Sequence, residues 1–137
     1  MIYAAKLDPE DEGGFTVTFR DIHGVTYGET QERALEQAVD CLITALSMFA
    51  DEGKDLPPAT APKRGEHLVF VPALYQAKLE LIKRMAETKT SNTKLAEMLG
   101  CSEAAVRRMV NLNHESKISR IEAALGALGK RLSVRVE

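Results

Sequence analysis

The chain has 137 residues, of which 45% are hydrophobic and 28% are charged, a balance typical of a globular protein and not of a disordered one. Its net charge of −2 hides an asymmetry: residues 1–72 carry six Lys/Arg and thirteen Asp/Glu, whereas residues 73–137 carry twelve and seven. No apolar run approaches the ~20 residues of a membrane helix, and no basic start leads into an apolar signal segment, so we expect a cytoplasmic protein without a membrane partner.

The first half predicts a small antiparallel sheet covered by one helix. Three short apolar or alternating segments predict strands that are separated by turns rich in Gly, Pro and Asp: 2–7, 15–20 and 25–28. Apolar residues at helical spacing over 31–52, after a possible N-cap at Thr30, predict a long amphipathic helix. The β-branched and aromatic run 67–71 predicts a fourth strand. Residues 1–72 should therefore form an α+β domain of β-β-β-α-β order.

The second half changes to helical periodicity. A lysine-rich segment from Ala73 predicts a first helix, and 93–109, TKLAEMLGCSEAAVRRM, predicts a helix, a tight turn and a second helix. Gly100 can supply the left-handed residue that ends one helix, and Ser102 can cap the next. Periodicity resumes over 118–128. Residues 73–137 should therefore form a second, basic and all-α domain.

The second helix of this pair carries residues suited to reading DNA. Side chains near the start of a helix laid in the major groove reach base edges, and arginine pairs bidentately with guanine. The order of elements resembles the Cro/phage-repressor type of helix-turn-helix domain. The candidates for base contacts are Glu103, Ala104, Arg107 and Arg108. All of them except Arg107 are implied by this resemblance. The candidates for contacts to the DNA backbone are Asn92, Lys94, Ser102, Asn111, His114 and Lys117. An ordinary helical hairpin in a core is the alternative, because apolar spacing fits both.

The tail after Gly129 alternates Leu132, Val134 and Val136, which predicts a short C-terminal strand. A lone terminal strand has no local partner, and pairing with the same strand of a second subunit would complete it. We therefore expect a homodimer formed through these residues. Docking of the tail on its own domain is the alternative.

A series of short segments in the first half carries a family resemblance by its order: GFTVTF at 14–19, a turn at 21–24, YGET at 27–30, ERAL at 32–35 and LPP at 56–58. With the second half, these segments resemble the HicB-type antitoxins, partners of small HicA-type ribonuclease toxins, in the branch with a C-terminal helix-turn-helix. Two residues depart from the family pattern. Arg20 stands where proline is usual, and Arg33 replaces a common acidic or alanine position.

The resemblance implies a type II antitoxin whose first domain, a partial ribonuclease-H-like layer, binds a HicA-type mRNA-cleaving toxin and covers its active site. The second domain would bind operator DNA and repress the operon, within a homodimer or a larger toxin–antitoxin complex. An acidic turn is expected to face the basic toxin through Asp8, Glu10, Asp11 and Glu12. The alternative is a free-standing helix-turn-helix repressor whose first domain senses a ligand or dimerises.

No catalytic or metal site is predicted, and neither a cofactor nor enzymatic activity is expected. Nuclease chemistry needs several carboxylates around two metal ions about 4 Å apart, whereas the acidic turn is better interpreted as a solvated loop. His23, His67 and His114 are isolated, so no His/Cys spacing suggests zinc. Cys41 and Cys101 have no partner spacing and fit small residues in a reducing compartment. A metal-dependent nuclease that uses the acidic turn is the third hypothesis.

Overall fold

The computed structural model describes residues 1–136, which divide into two compact units. The first unit comprises Met1–Met48 and Leu56–Pro72, and the second comprises Phe49–Asp55 and the chain from Ala73 on. In the described part of the chain, no helix combines the length and the apolar character needed to cross a membrane.

The first unit contains a four-stranded antiparallel sheet with the order β3-β2-β1-β4. Its strands are β1 (Ile2–Pro9), β2 (Phe15–Phe19), β3 (Val25–Gly28) and β4 (His67–Phe70). The register pairs Tyr3 with Val69 and Ala5 with Phe19, and all four of these side chains are buried. They lie on one face because cross-strand partners in an antiparallel sheet point to the same side. The predicted α+β class is confirmed.

Helix α1 (Gln31–Asp51) covers this buried face. It begins where Thr30 Oγ1 accepts a hydrogen bond from Arg33 N at 3.1 Å, the predicted cap. Gly28, at the end of β3, has no room for a side chain, because a Cβ there would lie 2.2 Å from the backbone nitrogen of Ala34. The strand and the first turn of the helix are therefore in direct contact. A fully buried stripe recurs every fourth residue of α1: Ala34, Ala38, Leu42 and Leu46.

Arg20, one of the two departures from the family pattern, fastens the proline-rich segment before β4. Its guanidinium donates to Thr60 Oγ1 at 3.0 Å and to the carbonyl of Ala61 at 2.6 Å, and it pairs with the Glu66 carboxylate. The neighbouring Asp21 accepts from Thr60 N at 2.8 Å, a bond that lowers the pKa of this carboxyl. Charge-assisted bonds thus order a segment that has no regular secondary structure.

The second unit contains four helices beyond the end of α1: α2 (Ala73–Thr88), α3 (Asn92–Leu99), α4 (Glu103–Val110) and α5 (Ile118–Ala127). Ser91 caps α3, since its side chain accepts from Lys94 N at 3.1 Å. Leu95, Val106 and Ile121 have no exposed surface and lie in a core to which all four of these helices contribute. The helices predicted from periodicity are therefore present.

The predicted C-terminal strand is not formed in the single chain. Residues 130–136 have no regular secondary structure, because a strand needs a hydrogen-bonded neighbour and the described residues provide none beside the tail. Leu132 packs against the helical core, whereas Val134 and Val136 are exposed. The alternating pattern marked an apolar tail, but alternation alone does not make a strand.

Candidate nucleic-acid interface

The turn between α3 and α4 is closed by hydrogen bonds that its sequence prescribes. Gly100 adopts a φ of 66°, in the left-handed region that favours glycine, and its N–H points to the carbonyls of Ala96 and Glu97. Ser102 then caps α4, because its Oγ accepts from Ala105 N at 3.1 Å. Both roles are those predicted from the sequence. With only three residues between the helices, the orientation of α4 relative to α3 is well defined.

Packing fixes which side of α4 faces solvent. Val106 and Met109 are buried against the helical core, and the small Ala96 lies where α3 approaches α4. The opposite side of α4 presents Arg107 and Arg108, both exposed. A helix that keeps one apolar side in a core can lay its other side in a groove.

The two arginines of α4 differ in their electrostatic environment. Arg107 is paired with Glu103 at 3.0 Å, one helical turn earlier, so this pair is nearly neutral. Within residues 1–136, no carboxylate pairs with Arg108. Arg108 is therefore the arginine on this helix whose charge is available to an anionic partner.

A cleft of about 280 Å³ beside α4 gathers several of the predicted site residues. Arg108, His114 and Lys117 line it together with Arg120 and Glu115, so that three positive charges from α4, the following loop and α5 converge around a single carboxylate. Asn92 and Lys94 lie instead in the first turn of α3, and Asn111 ends α4. The structure thus places two of the six predicted backbone contacts, His114 and Lys117, around this concavity together with the predicted base contact Arg108.

Lys78 of α2 belongs to this region but was not predicted from the sequence. The residue is fully buried, and its Nζ donates to the carbonyls of Arg108 at 3.2 Å, Asn111 at 2.7 Å and His114. Burial lowers the pKa of this ammonium below its ordinary value of 10.5. One cation therefore fastens the end of α4 and the loop that follows it. The available signal was its position, since 78 lies four and three residues from Leu74 and Leu81 on the helix.

The predicted acidic residues lie together in the turn between β1 and β2. Glu10, Asp11 and Glu12 are exposed, and Asp8 is half-buried at the end of β1. Glu10 is held in place by a hydrogen bond from Thr16 Oγ1 at 2.6 Å. No group of three or more His, Cys, Asp or Glu side chains within residues 1–136 is arranged to hold a metal ion. The turn is an anionic surface whose shape the hairpin fixes.

Comparison with known proteins identifies the family. A family model described as the HicB-like antitoxin of bacterial toxin–antitoxin systems matches residues 2–80. "Antitoxin HicB 2" of Photorhabdus laumondii is 41% identical over 135 residues, which cover 98% of this chain and 95% of that protein. "Antitoxin HicB" of Escherichia coli K12 is 33% identical over 135 residues, 98% of either chain.

These descriptions denote proteins that neutralise and regulate rather than catalyse, which agrees with the non-enzymatic role expected from the sequence. An antitoxin also implies a toxin partner. Because the model covers more than half of the chain and these relatives cover nearly all of it, the protein belongs to the HicB-like antitoxin family of bacterial toxin–antitoxin systems.

Proposed function

We propose that this antitoxin neutralises a HicA-type mRNA-cleaving toxin through its acidic first unit and represses its own operon through the basic second unit. The observation that carries the proposal is the opposite charge of the two parts, −7 for residues 1–72 and +5 for residues 73–137. A basic surface suits DNA phosphates, and an acidic surface suits a basic RNA-binding toxin.

In this proposal α3 and α4 act as a helix-turn-helix of the Cro/phage-repressor type, with α4 in the major groove. The base contacts come from Glu103, Ala104, Arg107 and Arg108. The backbone contacts come from Asn92, Lys94, Ser102, Asn111, His114 and Lys117. Support comes from the exposure of both arginines and from the basic cleft beside them, which is large enough to receive a phosphate group. The acidic turn contributes Asp8, Glu10, Asp11 and Glu12 to toxin binding.

Arg108→Ala should lower the preference for operator DNA by about 1–3 kcal/mol, the usual effect of losing one specific base contact. The measurement is fluorescence anisotropy with the DNA upstream of the gene and with an unrelated fragment of equal length. Lys130→Ala, an exposed change of equal charge outside the α4 surface, is the control. Equal losses of affinity on both fragments for Arg108→Ala would remove it from the base-reading residues.

Lys117→Ala should weaken binding to both fragments alike, because an ammonium that neutralises a phosphate reads no sequence. The slope of log affinity against log salt should become shallower by about one, as expected for one lost phosphate contact. Titrations at several salt concentrations measure this slope. A loss confined to the upstream fragment, with an unchanged slope, would contradict the assignment.

The whole proposal is tested by co-expression of the chain with the protein encoded by the adjacent reading frame, followed by co-purification and a growth assay. Toxicity of the neighbour that this chain suppresses, together with a stable complex, is the expected result. If the neighbour is not toxic and no complex forms, the result would favour the second candidate, a free-standing repressor. That candidate rests on the α3–α4 geometry alone.

A further inference from the structure

The face of the sheet that points away from α1 exposes large apolar side chains. Val25 and Tyr27 on β3, and Leu68 and Phe70 on β4, share this face, because the register pairs Thr18 with Val25 and Ile2 with Phe70. Val25 is 69% and Phe70 58% exposed, and the other two are about half exposed. An antiparallel sheet with one solvated face normally alternates buried apolar with exposed polar residues. This sheet departs from that rule on both of its edge strands.

The same face ends at the acidic turn. Thr16 is paired with Asp8 on one side and with Tyr27 on the other, so that this carboxylate stands in one row with an exposed aromatic ring. Tyr27 also donates from its hydroxyl to the carbonyl of Gly13 at 3.0 Å, which joins β3 to the turn that carries Glu10, Asp11 and Glu12. Apolar groups and the acidic turn therefore share one face of the sheet, called here the open face, on which Lys6 also lies and pairs with Asp8 at 3.6 Å.

Charge indicates what kind of partner fits the open face. Two copies of it would bring acidic turns towards each other in a region whose net charge is already −7, which opposes self-association. A protein that offers cations beside an apolar patch would satisfy both components, and contiguous exposed apolar surface rimmed by polar groups commonly marks a protein interface. The family implies a toxin as partner, and the occupant inferred here is the basic toxin of the proposed function.

We propose that the open face, defined by Val25, Tyr27, Leu68 and Phe70 together with the acidic turn, is the surface that docks on the toxin. This inference rests on the proposed neutralising function and extends it from charge alone to a defined apolar surface. The aromatic and aliphatic side chains supply most of the affinity, and the carboxylates orient the partner and accelerate encounter. α1 plays no direct part in the interface.

The test compares single aspartate substitutions in the full-length chain. Phe70→Asp and Val25→Asp should each weaken binding to the protein encoded by the adjacent reading frame by ~10- to 30-fold, the range of a well-placed apolar contact. Met48→Asp is the matched control, because Met48 is 65% exposed on α1 and acquires the same charge. Its affinity should stay within about twofold of that of the unchanged chain, as is usual for exposed positions outside an interface. Thermal unfolding of all three variants establishes that they remain folded.

Hydrogen–deuterium exchange of the unchanged chain gives a second, substitution-free readout. Slower exchange in β3, β4 and the acidic turn on complex formation is expected, with α1 unaffected. Protection confined to α1, or full affinity in both sheet variants, would contradict docking through the open face while leaving the neutralising function intact. Failure of the unchanged chain to bind would overturn both, and concentration-dependent protection of β3 and β4 without a partner would assign the face to a second copy.

Discussion

Lys78→Met should lower the free energy of unfolding by about 2–4 kcal/mol, because three partly buried hydrogen bonds lose their charged donor. The net loss is smaller than the sum of the three lost hydrogen bonds, because methionine also removes the cost of burying an ammonium. The same substitution should weaken DNA binding, because the carbonyls belong to Arg108, Asn111 and His114, at the end of α4 and in the loop beside the basic cleft. Chemical denaturation and DNA titration on one preparation measure both effects.

Lys83→Met is the control, because Lys83 lies on the same helix but makes its ion pairs at the surface, with Asp55 and Glu87. Its effect on unfolding should be much smaller, as is usual for solvent-exposed pairs. Equal destabilisation by the two substitutions would show that the three carbonyl contacts of Lys78 have no special weight.

The lowered pKa of Lys78 also has a predicted sign in alkaline solution. Between the folded-state pKa and 10.5, the unfolded chain binds the proton that the folded chain has released, so the contribution of Lys78 to stability rises with pH in that interval. Below the folded-state pKa both states are protonated and the contribution is flat. NMR titration of the lysine side-chain signals should therefore show one ammonium that deprotonates below 10.5, and this signal should be missing in Lys78→Met.

Deletion of residues 132–137 should convert a dimer into monomers and reduce the affinity for upstream DNA by about 100-fold or more, because two linked domains bind paired half-sites with an effective concentration that a monomer lacks. The physical reason is the exposed apolar side of the tail at Val134 and Val136, which a second copy would cover by strand pairing. Sedimentation analysis and DNA titration measure the two effects.

Point variants separate dimerisation from packing, since Leu132 also contacts the helical core. Val134→Lys with Val136→Lys should reproduce the loss of the dimer without affecting that core, whereas Arg135→Ala should leave the dimer intact. A dimer that survives the deletion would place the interface elsewhere in the chain.

Sequence patterns predicted those parts of the fold that depend on near neighbours. Alternation of Phe15, Val17 and Phe19 marked a strand, and fourfold spacing from Ala34 to Leu46 marked the buried stripe of α1. Gly100 and Ser102 were assigned because a left-handed residue and a cap are local requirements of the turn. Interactions between residues within about five positions of each other can therefore be predicted from the local sequence.

The parts that escaped prediction depend on distant residues. Lys78 bonds to carbonyls 30 to 36 positions away, so its burial was visible only once α2, α4 and the loop had been packed together. The open face required the register that sets Phe70 beside Ile2, at opposite ends of the first unit's sequence. The predicted C-terminal strand was wrong for a related reason, because alternation is a local pattern, whereas a strand needs a hydrogen-bonded neighbour and the described residues provide none beside the tail.

The bonds from Lys78 to the end of α4 and the following loop have an evolutionary consequence. The lysine grips only main-chain oxygens, which every amino acid possesses, and makes no demand on the side chains at positions 111 and 114. The same holds for Arg108, whose carbonyl Lys78 also contacts, so the side chain proposed to read bases can be exchanged without loss of the bonds that hold its main chain. Under the proposed DNA-binding role, a lineage that keeps this one buried cation can change the DNA sequence it recognises, and related operons can diverge into separately controlled pairs.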